Sequence, residues 1–167
     1  MTLPMFLEAA GYRRIALSRN GVGHFEASGT LAGCAVRVLI DKGAASTVVS
    51  FSLAQELGLK LTAMGRVGGG AGAAQLEVFE LHDAELKIGD VRPRTRALYA
   101  MDMTHVNAAL ALKGTTPVDA ILGVDVFENQ AAVIDYGSSS LFLKDVQPAV
   151  LEPQEFQGSS PLQSASG

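Results

Sequence analysis

The chain has 167 residues, of which 48% are hydrophobic, and this length and composition predict one packed domain rather than a disordered protein. Its formal net charge of −4 comes from interspersed basic and acidic residues, which argues against a nucleic-acid-binding surface. The single cysteine excludes an intramolecular disulfide, and no apolar run approaches the roughly 20 residues of a membrane-spanning helix.

The first 20 residues predict an N-terminal arm with a weak strand near residues 14–17. Glu8 precedes Arg13 and Arg14, which reverses the charge order of a secretory signal. We therefore expect a cytoplasmic protein, or a periplasmic one if an upstream leader is missing from this sequence.

Two runs at residues 24–30 and 34–40 predict a β-hairpin that turns at residues 31–33. Val36, Val38 and Ile40 occupy alternate positions, so the second strand should have one buried face. This strand leads directly into an acidic residue followed by mostly small ones. The pattern predicts a tight loop that presents a carboxylate.

After this loop, residues 50–57 predict one short helix, with Ser52 and Gln55 as a capping box and Gly58 at its end. Five glycines make residues 65–72 the most flexible stretch, and residues 75–81 alternate as a return strand would. Residues 103–112 are ambiguous between a loop and one helical turn.

Further strands are predicted at residues 86–89, 95–101, 118–123, 131–136 and 140–143. From residue 147 onward the chain is rich in Pro, Ser and Gln, which predicts a flexible tail over residues 147–167. Many short strands with glycine turns predict an all-β class, a closed β-barrel with one short helix, in a domain over residues 21–146. The predicted core residues are Val36, Val38, Ile40, Leu57, Leu81, Ile88, Ile121, Leu122, Val133 and Phe142.

Three features follow one another in a specific order. A hydrophobic strand runs into Asp-x-Gly-Ala-x-Ser at residues 41–46, a glycine-tipped hairpin is centred on residues 68–70, and Ile-Leu-Gly lies at residues 121–123. Over about residues 12–144 the chain resembles the retropepsin-like aspartic peptidases, particularly bacterial single-lobe proteins related to retroviral proteases. The resemblance implies an acid-protease barrel and the hydrolysis of peptide bonds.

The same resemblance implies a role for each motif. Asp41 is the expected catalytic carboxylate, and the expected active-site loop around it contains Lys42, Gly43, Ala44 and Ser46. The residues expected to form a flap over the substrate are Gly68, Gly69 and Gly70. The residues expected to pack beneath the loop are Ile121, Leu122 and Gly123.

The chemistry of this family requires a pair of aspartates, since two carboxylates about 3 Å apart cannot both ionise and therefore share a proton. This chain contains one such loop and no second Asp-Ser/Thr-Gly triplet. We therefore expect a C₂ homodimer that acts on a protein or peptide substrate without a cofactor.

Other kinds of site have weaker support. No Gly-Lys-Ser/Thr follows the glycine run, so it does not match a phosphate-binding loop, although a plain surface hairpin stays possible. His24, His82 and His105 are far apart in the sequence, and we expect no metal site. Asp119 and Asp125 are interpreted as turn formers or surface charges.

Lys42 departs from the family pattern, which has Thr or Ser directly after the aspartate. Lysine cannot accept a hydrogen bond, and two ammonium groups about 6 Å apart across a dimer axis would repel by roughly 3 kcal/mol at an effective dielectric near 20. Two hypotheses therefore remain: a homodimeric aspartic endopeptidase, or a catalytically silent relative that binds peptides or its own dimer mate.

Overall fold

The computed structural model describes residues 1–67 and 75–145, which form mostly β structure. The strands are β1 (Tyr12–Ala16), β2 (Ser18–Arg19), β3 (Phe25–Leu31), β4 (Cys34–Ile40), β5 (Val48–Ser50), β6 (Lys60–Val67), β7 (Leu76–His82), β8 (Leu86–Ile88), β9 (Leu98–Met101), β10 (Ala120–Leu122), β11 (Val133–Asp135) and β12 (Ser140–Lys144). The helices are α1 (Leu3–Ala9), α2 (Phe51–Glu56), α3 (Thr104–Ala111) and α4 (Val124–Asn129).

The strands form two sheets. The larger has nine strands in the order β2-β3-β4-β10-β5-β9-β7-β6, with β8 paired to β3 outside this order. The smaller has the order β1-β12-β11 and ties the N-terminal segment to the last strand of the described chain. Within the described residues no pairing joins β2 to β6, so closure of the barrel stays a prediction.

The predicted hairpin of β3 and β4 is confirmed, with register from Glu26 opposite Leu39 to Leu31 opposite Cys34. Ala32 and Gly33 form its two-residue turn, and both have positive φ, at 48° and 82°. A turn of this kind matches the right-handed twist of the paired strands. The two turn residues, Ala32 and Gly33, therefore favour the hairpin locally.

The prediction of one short helix is wrong, since the described residues contain four helices. The predicted helix exists as α2 and ends at Gly58, whose φ is +65°, but Ser50 rather than Ser52 caps its start. Ser50 Oγ accepts a hydrogen bond from Leu53 N at 3.4 Å. The other helices have six to eight residues, too short for a clear 3.6-residue pattern, and such helices depend on tertiary packing.

The core has two clusters, on opposite faces of the strands next to the loop. Val38, Ile40 and Leu122 lie in the larger cluster, whereas Leu39 and Ile121 lie in the smaller one. Of the ten predicted core residues, eight are buried: Val36, Val38, Ile40, Leu81, Ile88, Ile121, Leu122 and Phe142. Leu57 and Val133 are only half-buried, because one follows the last turn of α2 and the other lies on an edge strand.

Gly29 provides a test of this fold, because β8 pairs with β3 from this residue onward. A Cβ atom there would lie 2.2 Å from the carbonyl oxygen of Lys87. We expect Gly29→Ala to lower the free energy of unfolding by about 1–3 kcal/mol, the usual cost of overpacking, as measured by urea denaturation. Ser28→Ala, at the exposed neighbouring position, should stay within about 0.5 kcal/mol of the natural chain. Equal stability of the two variants would contradict the close approach of β8.

Candidate active site

The segment of residues 41–47, here called the Asp41 loop, connects β4 to β5. β10 lies between these two strands, parallel to β4 with Leu122 opposite Ile40 and antiparallel to β5 with Ile121 opposite Val48. The loop therefore crosses the end of β10, where that strand continues into Gly123.

Asp41 is held at the start of this loop by main-chain hydrogen bonds. Its N–H donates to the carbonyl of Leu122 at 3.1 Å, and its own carbonyl accepts from Ala44 N at 3.2 Å. Gly43 N donates to Asp41 Oδ1 at 2.8 Å. The side chain is half-exposed, so the structure fixes one carboxylate oxygen while the group stays accessible.

Gly123 makes a close backbone contact with the loop. A Cβ atom at this residue would lie 2.8 Å from the carbonyl oxygens of both Ala44 and Ser46. The next residue, Val124, donates its N–H to the Ala44 carbonyl at 2.8 Å. The structure thus brings Leu122 and Gly123 into contact with the Asp41 loop.

The structure also shows two residues of this junction that sequence reasoning missed. Thr47 is completely buried, and its Oγ1 accepts from Gly123 N at 3.0 Å and donates to Asp125 Oδ1 at 2.8 Å. Ser46, which the sequence favoured, is exposed. The interpretation of Asp125 as a turn former or surface charge is wrong, and its distance of 78 residues from Thr47 in the chain gives no local signal.

The remaining predicted site residues are placed as follows. Lys42 is exposed, and its neighbour Ala44 is half-buried against the smaller core cluster. The expected flap residues Gly68, Gly69 and Gly70 lie outside the described residues. The strands on either side of them, β6 and β7, pair in antiparallel fashion from Lys60 opposite His82 to Val67 opposite Leu76.

Comparison with known proteins identifies the family. Residues 27–126, more than half of the chain, match the family model described as aspartyl protease. The chain belongs to the aspartyl protease family. The match includes the Asp41 loop, Gly123 and Asp125, and none of the curated proteins compared matches the chain.

Three solved structures are similar to this family member. The retroviral protease-like domain of Ddi1 from Leishmania major matches with TM-score 0.50 and 18% identity, over 72% of this chain and 88% of that one. A retropepsin-like aspartic protease from Rickettsia conorii matches with TM-score 0.48 and 20% identity, over 80% and 89%. EIAV protease complexed with the inhibitor HBY-793 matches with TM-score 0.45 and 19% identity, over 66% and 90%. The first of these supports the retropepsin-like fold, and the resemblance read from the sequence is confirmed.

Two carboxyl groups elsewhere have shifted pKa values. The pKa of Asp102 is lowered, first by the hydroxyl of Thr104 and then by its backbone N–H. The pKa of Asp135 is lowered mainly by the Ser138 hydroxyl and by Gly137 N–H. Both shifts come from hydrogen bonds within a local turn, so they do not mark a second reactive site.

The described part of this family member has neither a metal-binding cluster nor a membrane-spanning helix. Across residues 1–67 and 75–145, no three His, Cys, Asp or Glu side chains are grouped so that they could hold a metal ion. None of the helices described is long and apolar enough to cross a membrane.

The contact at Gly123 predicts that this residue tolerates no side chain. We expect Gly123→Ala to lower the free energy of unfolding by about 1–3 kcal/mol in urea denaturation, because the atoms it would meet are backbone atoms. Gly137→Ala is a matched control, since its Cβ would meet only the Asp135 carboxylate, at 3.3 Å, and should cost about 0.5 kcal/mol or less. A Gly123→Ala variant as stable as this control would disprove the close contact.

Proposed function

We propose that this family member is a homodimeric aspartic endopeptidase, which hydrolyses peptide bonds with a water molecule activated by two Asp41 carboxylates. The observation that carries the proposal is the position of Asp41. Its half-exposed carboxyl group follows a buried strand, and main-chain bonds to Leu122 and from Gly43 hold it there. The match to the aspartyl protease family over this loop supports the same interpretation.

In the proposed reaction the two Asp41 side chains share one proton. The ionised carboxylate removes a proton from the water molecule while the water oxygen attacks the peptide carbonyl carbon. At the same time the protonated carboxyl group donates its proton to the carbonyl oxygen. The tetrahedral intermediate then collapses and the C–N bond breaks. The leaving nitrogen takes the proton that the first carboxylate removed from water, and a hydroxyl group of the intermediate returns its proton to the second carboxylate. The products are a carboxylic acid and an amine, and the shared proton is restored.

The second carboxylate of this proposal has to come from a second copy. The other Asp-x-Gly triplet of the sequence begins at Asp135, but its carboxylate accepts bonds from Gly137 N and Ser138 within the turn between β11 and β12. It is therefore engaged in its own hairpin, in the smaller sheet. A twofold axis beside the Asp41 loop would bring two equivalent carboxylates together.

Replacement of Asp41 tests the proposal directly. We expect the natural protein to cleave peptides from a library at acidic pH, with inhibition by pepstatin. Asp41→Asn should lower kcat at least about 100-fold, because asparagine can neither take nor give the proton. Asp90→Asn, at an exposed residue paired with Arg13, should cleave like the natural chain. An Asp41→Asn variant with unchanged kcat would refute the proposed role.

Lys42 favours a second candidate function, a catalytically silent relative that binds peptides or its own dimer mate. The side chain is exposed directly beside Asp41, and a lysine cannot supply the hydrogen-bond acceptor that Thr or Ser supplies at this position in the family. Peptide binding without cleavage by the natural chain would support this candidate over the peptidase.

Lys42→Thr tests whether this residue lies near a twofold axis. The variant removes two charges that would repel by roughly 3 kcal/mol and supplies a hydroxyl, so we expect tighter dimerisation, by up to about 100-fold in the dimer dissociation constant, and a faster cleavage rate. Sedimentation equilibrium and a peptide-cleavage assay measure the two effects.

The matched control is Lys60→Thr, which removes an exposed lysine at the start of β6. It should leave dimerisation unchanged. If Lys42→Thr neither dimerises more tightly nor cleaves faster than this control, Lys42 does not lie at a retropepsin-type axis.

A further inference from the structure

We propose that Asp125 is a positioning residue for the Asp41 carboxylate, and that it acts through the buried hydroxyl of Thr47. This inference rests on the proposed peptidase function. It gives a role to an acidic side chain that does not belong to the Asp41 loop.

The direction of each hydrogen bond follows from the chemistry of the groups. Gly123 N–H can only donate, so it uses a lone pair of Thr47 Oγ1, 3.0 Å away. The single proton of this hydroxyl then needs an acceptor inside a completely buried site. Asp125 Oδ1, at 2.8 Å, is that acceptor. Gly123 N–H and Asp125 Oδ1 therefore satisfy the acceptor and the donor capacity of the Thr47 hydroxyl.

These bonds fix the far end of the Asp41 loop. At its start, Asp41 N–H donates to Leu122, and in its middle the Ala44 carbonyl accepts from Val124 N–H at 2.8 Å. The Thr47 hydroxyl adds the third tie, to Gly123 and Asp125. The hydrogen-bond partners of the loop are thus the four consecutive residues 122–125. These bonds connect the loop to the end of β10 and the start of α4.

The position of the loop matters because the proposed reaction needs two carboxylates close enough to share a proton. A misplacement of about 1 Å at such a centre can cost about 100-fold in rate. If the Thr47 hydroxyl loses its acceptor, the end of the loop is less fixed. We therefore expect variants that remove this acceptor to have a lower kcat and a nearly unchanged KM for peptide.

A plainer explanation is that Asp125 only places a negative charge in the first turn of α4, where the helix dipole favours it. The two explanations differ in what asparagine does at this position. An asparagine side chain would keep an acceptor oxygen for Thr47 but would remove the charge, so the variant Asp125→Asn separates the hydrogen bond from the helix dipole.

The test compares Asp125→Ala, Asp125→Asn and Thr47→Val in the full chain. We expect Asp125→Ala and Thr47→Val to lower kcat about 10- to 100-fold with KM changed less than about threefold, and Asp125→Asn to stay within about threefold of the natural chain. Because both removals break the same bond, the double variant Thr47→Val/Asp125→Ala should be no slower than the slower single variant. Glu128→Ala, at an exposed residue of the same helix, is the matched control.

Hydrogen exchange at the amides of Gly43 and Gly123 supplies a readout that does not need cleavage. We expect faster exchange at both amides in Asp125→Ala and Thr47→Val but not in Asp125→Asn. Unchanged exchange and kcat in Asp125→Ala, or equal losses in Asp125→Ala and Asp125→Asn, would overturn the inference. Absence of cleavage by the natural chain, with the expected exchange pattern, would instead count against the proposed peptidase function.

Discussion

β10 lies between β4 and β5, the two strands that the Asp41 loop connects, and it pairs with both of them. Its two faces are buried in different clusters, Leu122 in the larger and Ile121 in the smaller. A strand buried on both sides has little freedom to shift, because interiors are packed as densely as organic crystals. The loop takes its position from this strand, so the geometry around Asp41 depends on how firmly the core holds β10.

Close packing of backbone on backbone explains why a glycine, Gly123, follows β10 beside the Asp41 loop. Gly123 lies so close to the loop that a Cβ atom would meet two of its carbonyl oxygens at 2.8 Å. The same approach lets Val124 N–H and Gly123 N–H find acceptors in the loop. Buried backbone donors need such partners, so close packing and hydrogen bonding impose the same requirement here.

A single chain contains one Asp41 loop, whereas the proposed reaction requires two such loops, one from each copy. The side chain of Lys42 is exposed and takes no part in the bonds that join the loop to residues 122–125. The same loop could therefore serve a peptidase or a silent peptide-binding relative without any change in the fold. The match over residues 27–126 establishes the family, whereas in our proposal the residue beside Asp41 and the second copy decide between these activities.

Local patterns in the sequence determined much of this structure. Alternation predicted β4, and Gly58 marked the end of α2. Only the tertiary structure revealed the short helices α1 and α4, the burial of Leu39 in a second cluster, and the bond between Thr47 and Asp125. The reason is physical: alternation and turn chemistry act between neighbours in the chain, whereas a buried hydroxyl finds its acceptor among residues that only folding brings together.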